Sequence, residues 1–125
     1  MGRMKYFFDT YALFEIFFGN DKYLKYIDSE VITTRLNLME IYYHLLRDYG
    51  EKVAEDYYNE TTGYSIEFTD MDIKEAMKFR LKMKRKKKDL SYVDALGYTI
   101  ANRMNIQFLT GDLAFEDVQD VEFVK

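Results

Sequence analysis

The chain contains no cysteine and a single histidine, His44. The first absence excludes disulfides, thiolate nucleophiles and cysteine-based zinc sites. The second excludes histidine-rich metal sites and speaks against a Ser-His-Asp hydrolase. Any metal must then be held by oxygen ligands, which points to Mg²⁺ or Mn²⁺ rather than Zn²⁺. Long apolar runs are missing too. None approaches the roughly 20 residues needed to span a bilayer, so no membrane association is expected. The opening stretch MGRMKYFFD reaches Asp9 before a signal-type apolar region can form, which predicts no secretion signal and a cytoplasmic location. No Ser-, Gly- or Pro-rich tract is long enough to act as a linker, and the lack of a fixed-period repeat excludes a solenoid.

What is present suits one globular unit. At 125 residues, 48% hydrophobic and 32% charged, the chain predicts a single domain over 1–125 with one core. The net charge of −4 neither predicts nor excludes a nucleic-acid partner, because local patches outweigh the sum.

The most organised stretch is SYVDALGYTIANRMNIQFLTGDLAFEDV, residues 91–118. Ser91 is a natural N-cap with Asp94 three positions on. Val93, Leu96, Gly97, Ile100 and Met104 then recur at helical spacing toward a core. Ile106 to Leu109 is short and mostly apolar, as a buried parallel strand should be. Upstream, Met4 to Phe8 predicts a first strand ended by Asp9-Thr10. Helices are expected over Ala12–Phe18, Asp21–Ile27, Thr34–Tyr49 and Glu51–Asn59, and from Thr69 or Asp70 to about Lys88. On the third of these the core face is read as Leu36, Met39, Tyr43 and Leu46. On the last it is read as Ile73, Ala76, Met77, Phe79 or Arg80, and Leu81. Further strands are read at Val31–Thr33, at the alternating Tyr64–Phe68 and at Val121–Val124. Strands alternating with helices predict an α/β fold, a parallel β-sheet flanked by helices on both faces.

Four acids stand where such a fold does chemistry. Asp9 and Asp112 follow predicted strands, at the carboxyl edge where open α/β sheets bind ligands. Asp94 opens the helix that leads back to that edge. Glu40 lies mid-helix among apolar residues, where an unpaired acid is costly and a cation would explain it. Each also has an ordinary reading. Asp94 could complete a capping box with Ser91, Asp9 and Asp112 could be turn residues, and Glu40 could pair with His44 one helical turn on.

The segments FFDTYALFE, NLMEIYYHL, SYVDALGYTIANR and FLTGDLAFEDV together resemble the PIN domain, in particular the small toxin ribonucleases of the VapC type. The resemblance spans essentially the whole chain. Its most specific part is the helix-start Asp before an Ala-containing helix, joined to a strand ending in Thr-x-Asp. It implies a metal-dependent endoribonuclease in which Asp9, Glu40, Asp94 and Asp112 hold one or two Mg²⁺ or Mn²⁺ ions. Thr10 and Thr110 match supporting hydroxyl positions. Many relatives carry one more Asp two residues after the fourth acid, where this chain has Ala114; Asp117 and Glu116 lie close by. The resemblance also implies a homodimer and an antitoxin protein as partners, with the Phe-rich first helix as a contact surface.

The basic run RLKMKRKKK, residues 80–88, reads either as a solvated helix end suited to the C-terminal dipole or as a contact to RNA phosphates through Arg85, Lys86, Lys87 and Lys88. Three other functions remain open at this stage: a PIN nuclease of RNA processing or decay, a receiver-like signalling domain and a non-catalytic binding module. The lone Asp9 after the first strand departs from the acidic pair a receiver domain usually carries there.

Overall fold

The computed structural model describes residues 3–125; Met1 and Gly2, which begin the stretch read for a secretion signal, lie outside them. Four parallel strands form the sheet: β1 (Lys5–Phe8), β2 (Glu30–Ile32), β3 (Gln107–Thr110) and β4 (Val121–Phe123), in the order β2-β1-β3-β4. Tyr6 pairs with Val31 on one side and Gln107 on the other, and Phe108 pairs with Val121. The chain leaves β1 for β2 on one side and later returns to β3 on the other. The sheet therefore has its topological switch point between β1 and β3, where a crevice opens at the carboxyl edge.

Five helices cover the sheet: α1 (Thr10–Phe17), α2 (Arg35–Tyr49), α3 (Glu51–Thr61), α4 (Asp70–Arg85) and α5 (Tyr92–Arg103). Period-two alternation in the strands sends neighbouring side chains to opposite faces. Phe7 and Phe108 meet α4 and α5, whereas Phe8 and Leu109 meet α1, α2 and α3. The single core read from the sequence is thus two apolar clusters with the sheet between them. No helix among the described residues is long and apolar enough to cross a membrane.

Several boundaries and faces differ from the sequence reading. Residues 64–68 are not a strand. Thr33 bridges to Ser65 alone, through Thr33 N–H to Tyr64 O at 3.1 Å and Ile66 N–H to Thr33 O at 3.0 Å. The partner strand ends there because Thr34 becomes the N-cap of α2. Asp21–Tyr26 is a 3₁₀ turn rather than an α-helix. The last long helix stops at Arg85, three residues early, as Lys87 turns into the left-handed region at φ 65°. On α2 the buried residues are Asn37, Leu38, Ile41 and Leu45, and Met39, Tyr43 and Leu46 face solvent. The helix carries two apolar stripes, and packing against β1, α1 and α3 selects the second. On α4, Ala76 and Met83 are buried, but Ile73 and Leu81 are exposed.

The two helices behind the sheet are tied at one end by an ion pair between a buried acid and a half-exposed arginine. Arg103 Nε and a terminal nitrogen donate to the two oxygens of Asp72 at 2.7 and 2.9 Å. Asp72 also closes the capping box of α4 by accepting from Thr69 N–H at 3.0 Å. Burial pushes the Asp72 carboxyl up, but the Arg103 and Thr69 hydrogen bonds and the guanidinium charge outweigh it and leave it below its ordinary value.

Candidate active site

The four acids come from four chain segments that end or begin at the carboxyl edge of the sheet. Asp9 follows β1 directly and caps α1, with Oδ1 accepting from Ala12 N–H at 2.8 Å. Its other oxygen accepts from the hydroxyl of Thr110, the last residue of β3. That same Thr110 oxygen accepts from Asp112 N–H at 3.0 Å. One buried hydroxyl thus fixes the first and fourth acids relative to each other across the β1–β3 switch point. Asp112 in turn accepts from Ala114 N–H at 3.0 Å, so Ala114 contributes a backbone donor to the group.

Glu40 reaches the edge from α2. Thr10 Oγ1–H donates to Glu40 Oε1 at 2.6 Å, and the same Thr10 oxygen accepts from Asn37 Nδ2 at 3.2 Å. Asn37 is itself held by Thr34, whose hydroxyl donates to Asn37 Oδ1 at 2.7 Å. The pairing of Glu40 with His44 is not formed; His44 packs against the Phe14 and Tyr43 rings instead. Asn37 is a site residue that the sequence reading missed. Its signal was a fully buried amide one helical turn before an acid, visible only once the inward face of α2 is known.

Asp94 stands on the first turn of α5, where Ser91 Oγ accepts from its backbone N–H at 3.0 Å. The capping reading of Ser91 holds, but the Asp94 carboxyl also senses the other acids. Burial pushes it up to about 6; the Ser91 hydroxyl opposes this, and the charges of Asp112 and Glu40 add to it. Asp9 is pushed well above its ordinary value, first by complete burial and then by the charges of Asp94 and Asp112, against the Thr110 and Ala12 hydrogen bonds. All four carboxylates therefore belong to one electrostatic group.

As placed, no three acidic or histidine side chains among the described residues already clasp a common point. The donor chemistry nevertheless fits a hard divalent cation. Every candidate ligand is an oxygen, and burial together with the charges of the neighbouring acids raises Asp9 and Asp94, a penalty that a cation relieves. The group is also walled in on one side. The Tyr11 ring lies directly on Gly111, and a Cβ on Gly111 would fall within 2.5 Å of Val124 O. Only glycine lets β3 turn into the Asp112 loop beneath that ring.

Asp117 and Glu116 stand apart from this group. Both are exposed, and Asp117 pairs with Lys88. The Lys88 hydrogen bond and charge hold the Asp117 carboxyl below its ordinary value. Lys88 is therefore already engaged, donating to Ala114 O at 3.4 Å as well. Arg85, Lys86 and Lys87 remain exposed. Because α4 and α5 run antiparallel, with Asp72 and Arg103 at the far end, these cations sit at the same end of the molecule as Asp94.

Comparison with known proteins agrees with this fold. Residues 6–121 match the family model of the PIN domain. The fold is similar to VapBC2 from Rickettsia felis bound to a DNA fragment from its promoter, with TM-score 0.73 and 15% identity over 97% of this chain and 98% of that one. It is similar to VapC20 of Mycobacterium tuberculosis, a sarcin-ricin loop cleaving toxin, with TM-score 0.73 and 19% identity over 96% and 99% of the two chains. A toxin–antitoxin complex from Klebsiella pneumoniae gives TM-score 0.70 and 16% identity over 92% and 93%. At these identities the likeness is one of fold. No curated protein matches the sequence.

Proposed function

This chain belongs to the PIN domain family, and from that premise we propose that it is a metal-dependent endoribonuclease, the toxin half of a toxin–antitoxin pair. The observation that carries the reading is the electrostatic grouping of Asp9, Glu40, Asp94 and Asp112 at the β1–β3 switch point. In this reading those four carboxylates hold Mg²⁺ or Mn²⁺. When bound, the ion supplies an activated water and positive charge for the scissile phosphate.

The chain's own residues then have distinct tasks. Thr110 and Thr10 hold Asp9 and Glu40 by one hydroxyl each, so neither acid spends its energy on being positioned. Asn37 keeps the Thr10 oxygen oriented. Tyr11, over Gly111, screens one side of the group from solvent. Arg85, Lys86 and Lys87 meet the RNA backbone and steer it to the acids. Lys88 instead holds the loop after Asp112 through Asp117.

Two partners follow from the same reading. The exposed apolar side chains of Phe18, at the end of α1, and of Met39, Tyr43, Leu46 and Tyr49 on α2 suit an antitoxin segment or a second copy of the chain. The deciding test is cleavage of a mixed structured and single-stranded RNA pool with Mn²⁺ or Mg²⁺, comparing wild type with Asp94→Asn. Metal-dependent cutting that the variant loses is the expected result. Cutting retained by Asp94→Asn sinks the site assignment, and no cutting by folded wild type counts against the nuclease.

A further inference from the structure

The first residue of α5 has no structural task of its own. Tyr92 belongs to neither apolar cluster and is 65% exposed. A large aromatic ring in solvent gains nothing from burial, yet this one is braced. The Arg80 guanidinium carbon lies 4.5 Å from the ring centroid, over its face. Arg80 is itself fixed, because its Nε donates to Leu90 O at 2.9 Å and a terminal nitrogen lies 3.9 Å from Asp89. With one face against a held guanidinium, the exposed area of Tyr92 is the opposite face and the edge. The ring is thus presented flat and rigid, at little further cost in rotamer entropy.

Its surroundings select what can lie on it. Lys84 is one helical turn beyond Arg80 on the same side of α4, and Lys84 and Arg85 are exposed. Asp94 is two residues further along the first turn of α5, so it leaves the helix on another side from Tyr92. The ring faces the α4 side of the α5 start, among the exposed cations, and a strand held by those cations would cross it on its way to the acids. A planar π-face, a cation behind it and cations beside it are the parts of a single-strand stacking site. A second copy of this chain fits worse, since a two-fold contact centred on Tyr92 would bring two Arg80–Lys84 clusters together.

Resting on the nuclease reading, we propose that Tyr92, braced by Arg80, is a stacking platform for an unpaired base of the RNA strand that the acids cut. The strand must then be unpaired where it crosses the start of α5. A fully paired duplex cannot offer a free base face there.

The test uses short single-stranded RNAs carrying 2-aminopurine at successive positions, bound in chelator to the whole chain and to Tyr92→Phe and Tyr92→Leu. Wild type and Tyr92→Phe should quench the fluorophore at one position. Tyr92→Leu should bind about tenfold more weakly and leave it bright, with unchanged thermal unfolding, because the ring packs in no core. The matching duplex should not be quenched by any of them. Equal affinity and quenching by Tyr92→Leu, or no quenching by wild type, would overturn the platform. So would a Tyr92→Leu variant that turns a wild-type dimer into a monomer, which would assign the ring to a subunit contact. Failure of the underlying reading looks different: wild type quenches the probe but cuts no RNA with Mn²⁺. Conversely, metal-dependent cutting with unchanged KM in Tyr92→Leu would remove the platform and leave the nuclease standing.

Discussion

Removing the charge of Asp94 should stabilise the metal-free protein, and the size of the gain follows from the site. Burial and the Asp112 and Glu40 charges raise this carboxyl from its ordinary 3.8 to about 6. The folded form therefore holds the proton more tightly than the unfolded chain. Between about pH 4 and 6 the native state binds more protons, so stability falls as pH rises, and the full penalty is present above that window. At about 1.4 kcal/mol per tenfold change in the ionisation constant, the penalty is about 3 kcal/mol. Asp94→Asn removes it and keeps the Ser91 cap on its backbone N–H, but the new amide must find acceptors in a buried site, leaving a net gain of about 1–2 kcal/mol. For a chain of 125 residues, that gain raises Tm by about 4–8 °C at pH 8 in chelator. The gain should shrink through the window and vanish by pH 4, where wild type is neutral at this position too. Thermal unfolding across that pH range reads both features. Equal Tm values at pH 8, or a gain undiminished at pH 4, would refute the reasoning. With Mn²⁺ added the order should reverse: wild type gains more than Asp94→Asn, and an equal gain would count against a shared site.

Arg103→Leu strands the buried Asp72 carboxylate with only its Thr69 partner and should cost about 2–3 kcal/mol in urea unfolding, toward the low end because Arg103 is half exposed. In wild type the depressed Asp72 adds stability above about pH 4 that is lost on acidification, whereas the variant should become relatively more stable as pH falls. Lys87→Gly relieves a left-handed residue at φ 65° and should add about 1 kcal/mol; an unchanged Tm would mean that the turn carries no strain. Gly111→Ala forces a methyl group against Tyr11 and Val124 O and should cost about 2 kcal/mol while reducing the Mn²⁺-induced rise in Tm, because it displaces the loop that bears Asp112.

The parts of this molecule that can be read from sequence are those governed by local rules. Phe7 and Phe8 before Asp9, and Phe108 and Leu109 before Thr110, announce buried strands because a short apolar run ending in a polar turn has few other uses. The Ser91 cap and the Gly97 stripe of α5 are equally local. What could not be read depends on a choice between comparable packings. Helix α2 offers Leu36, Met39, Tyr43 and Leu46 on one side and Leu38, Ile41 and Leu45 on another, and only the positions of β1, α1 and α3 decide between them. Residues 64–68 alternate like a strand but find a single partner, because Thr34 is needed as a cap. Among the acids, sequence identified groups that could meet at one edge. The Thr110 hydroxyl shared by Asp9 and Asp112, the Asn37–Thr10–Glu40 chain and the Lys88 hold on Asp117 all join residues far apart along the chain, and no local spacing encodes them.

The pairing of β1 with β3 also sets when the acids can come together during synthesis. Asp9 and Glu40 emerge early, with α1 and α2 to carry them. Thr110, which locks Asp9, and Asp112 lie about a hundred residues later, and β3 has to find β1 across that whole span. Contacts so distant in sequence form late, because the loop they close must first be made. A growing chain therefore carries half a site until β3 docks, and the carboxylates acquire their shared electrostatics in the same step that completes the sheet. Assembly of the fold is in this sense its own timer: the nascent protein cannot gather its acids while it is still attached to the machine that makes it and short of residue 110.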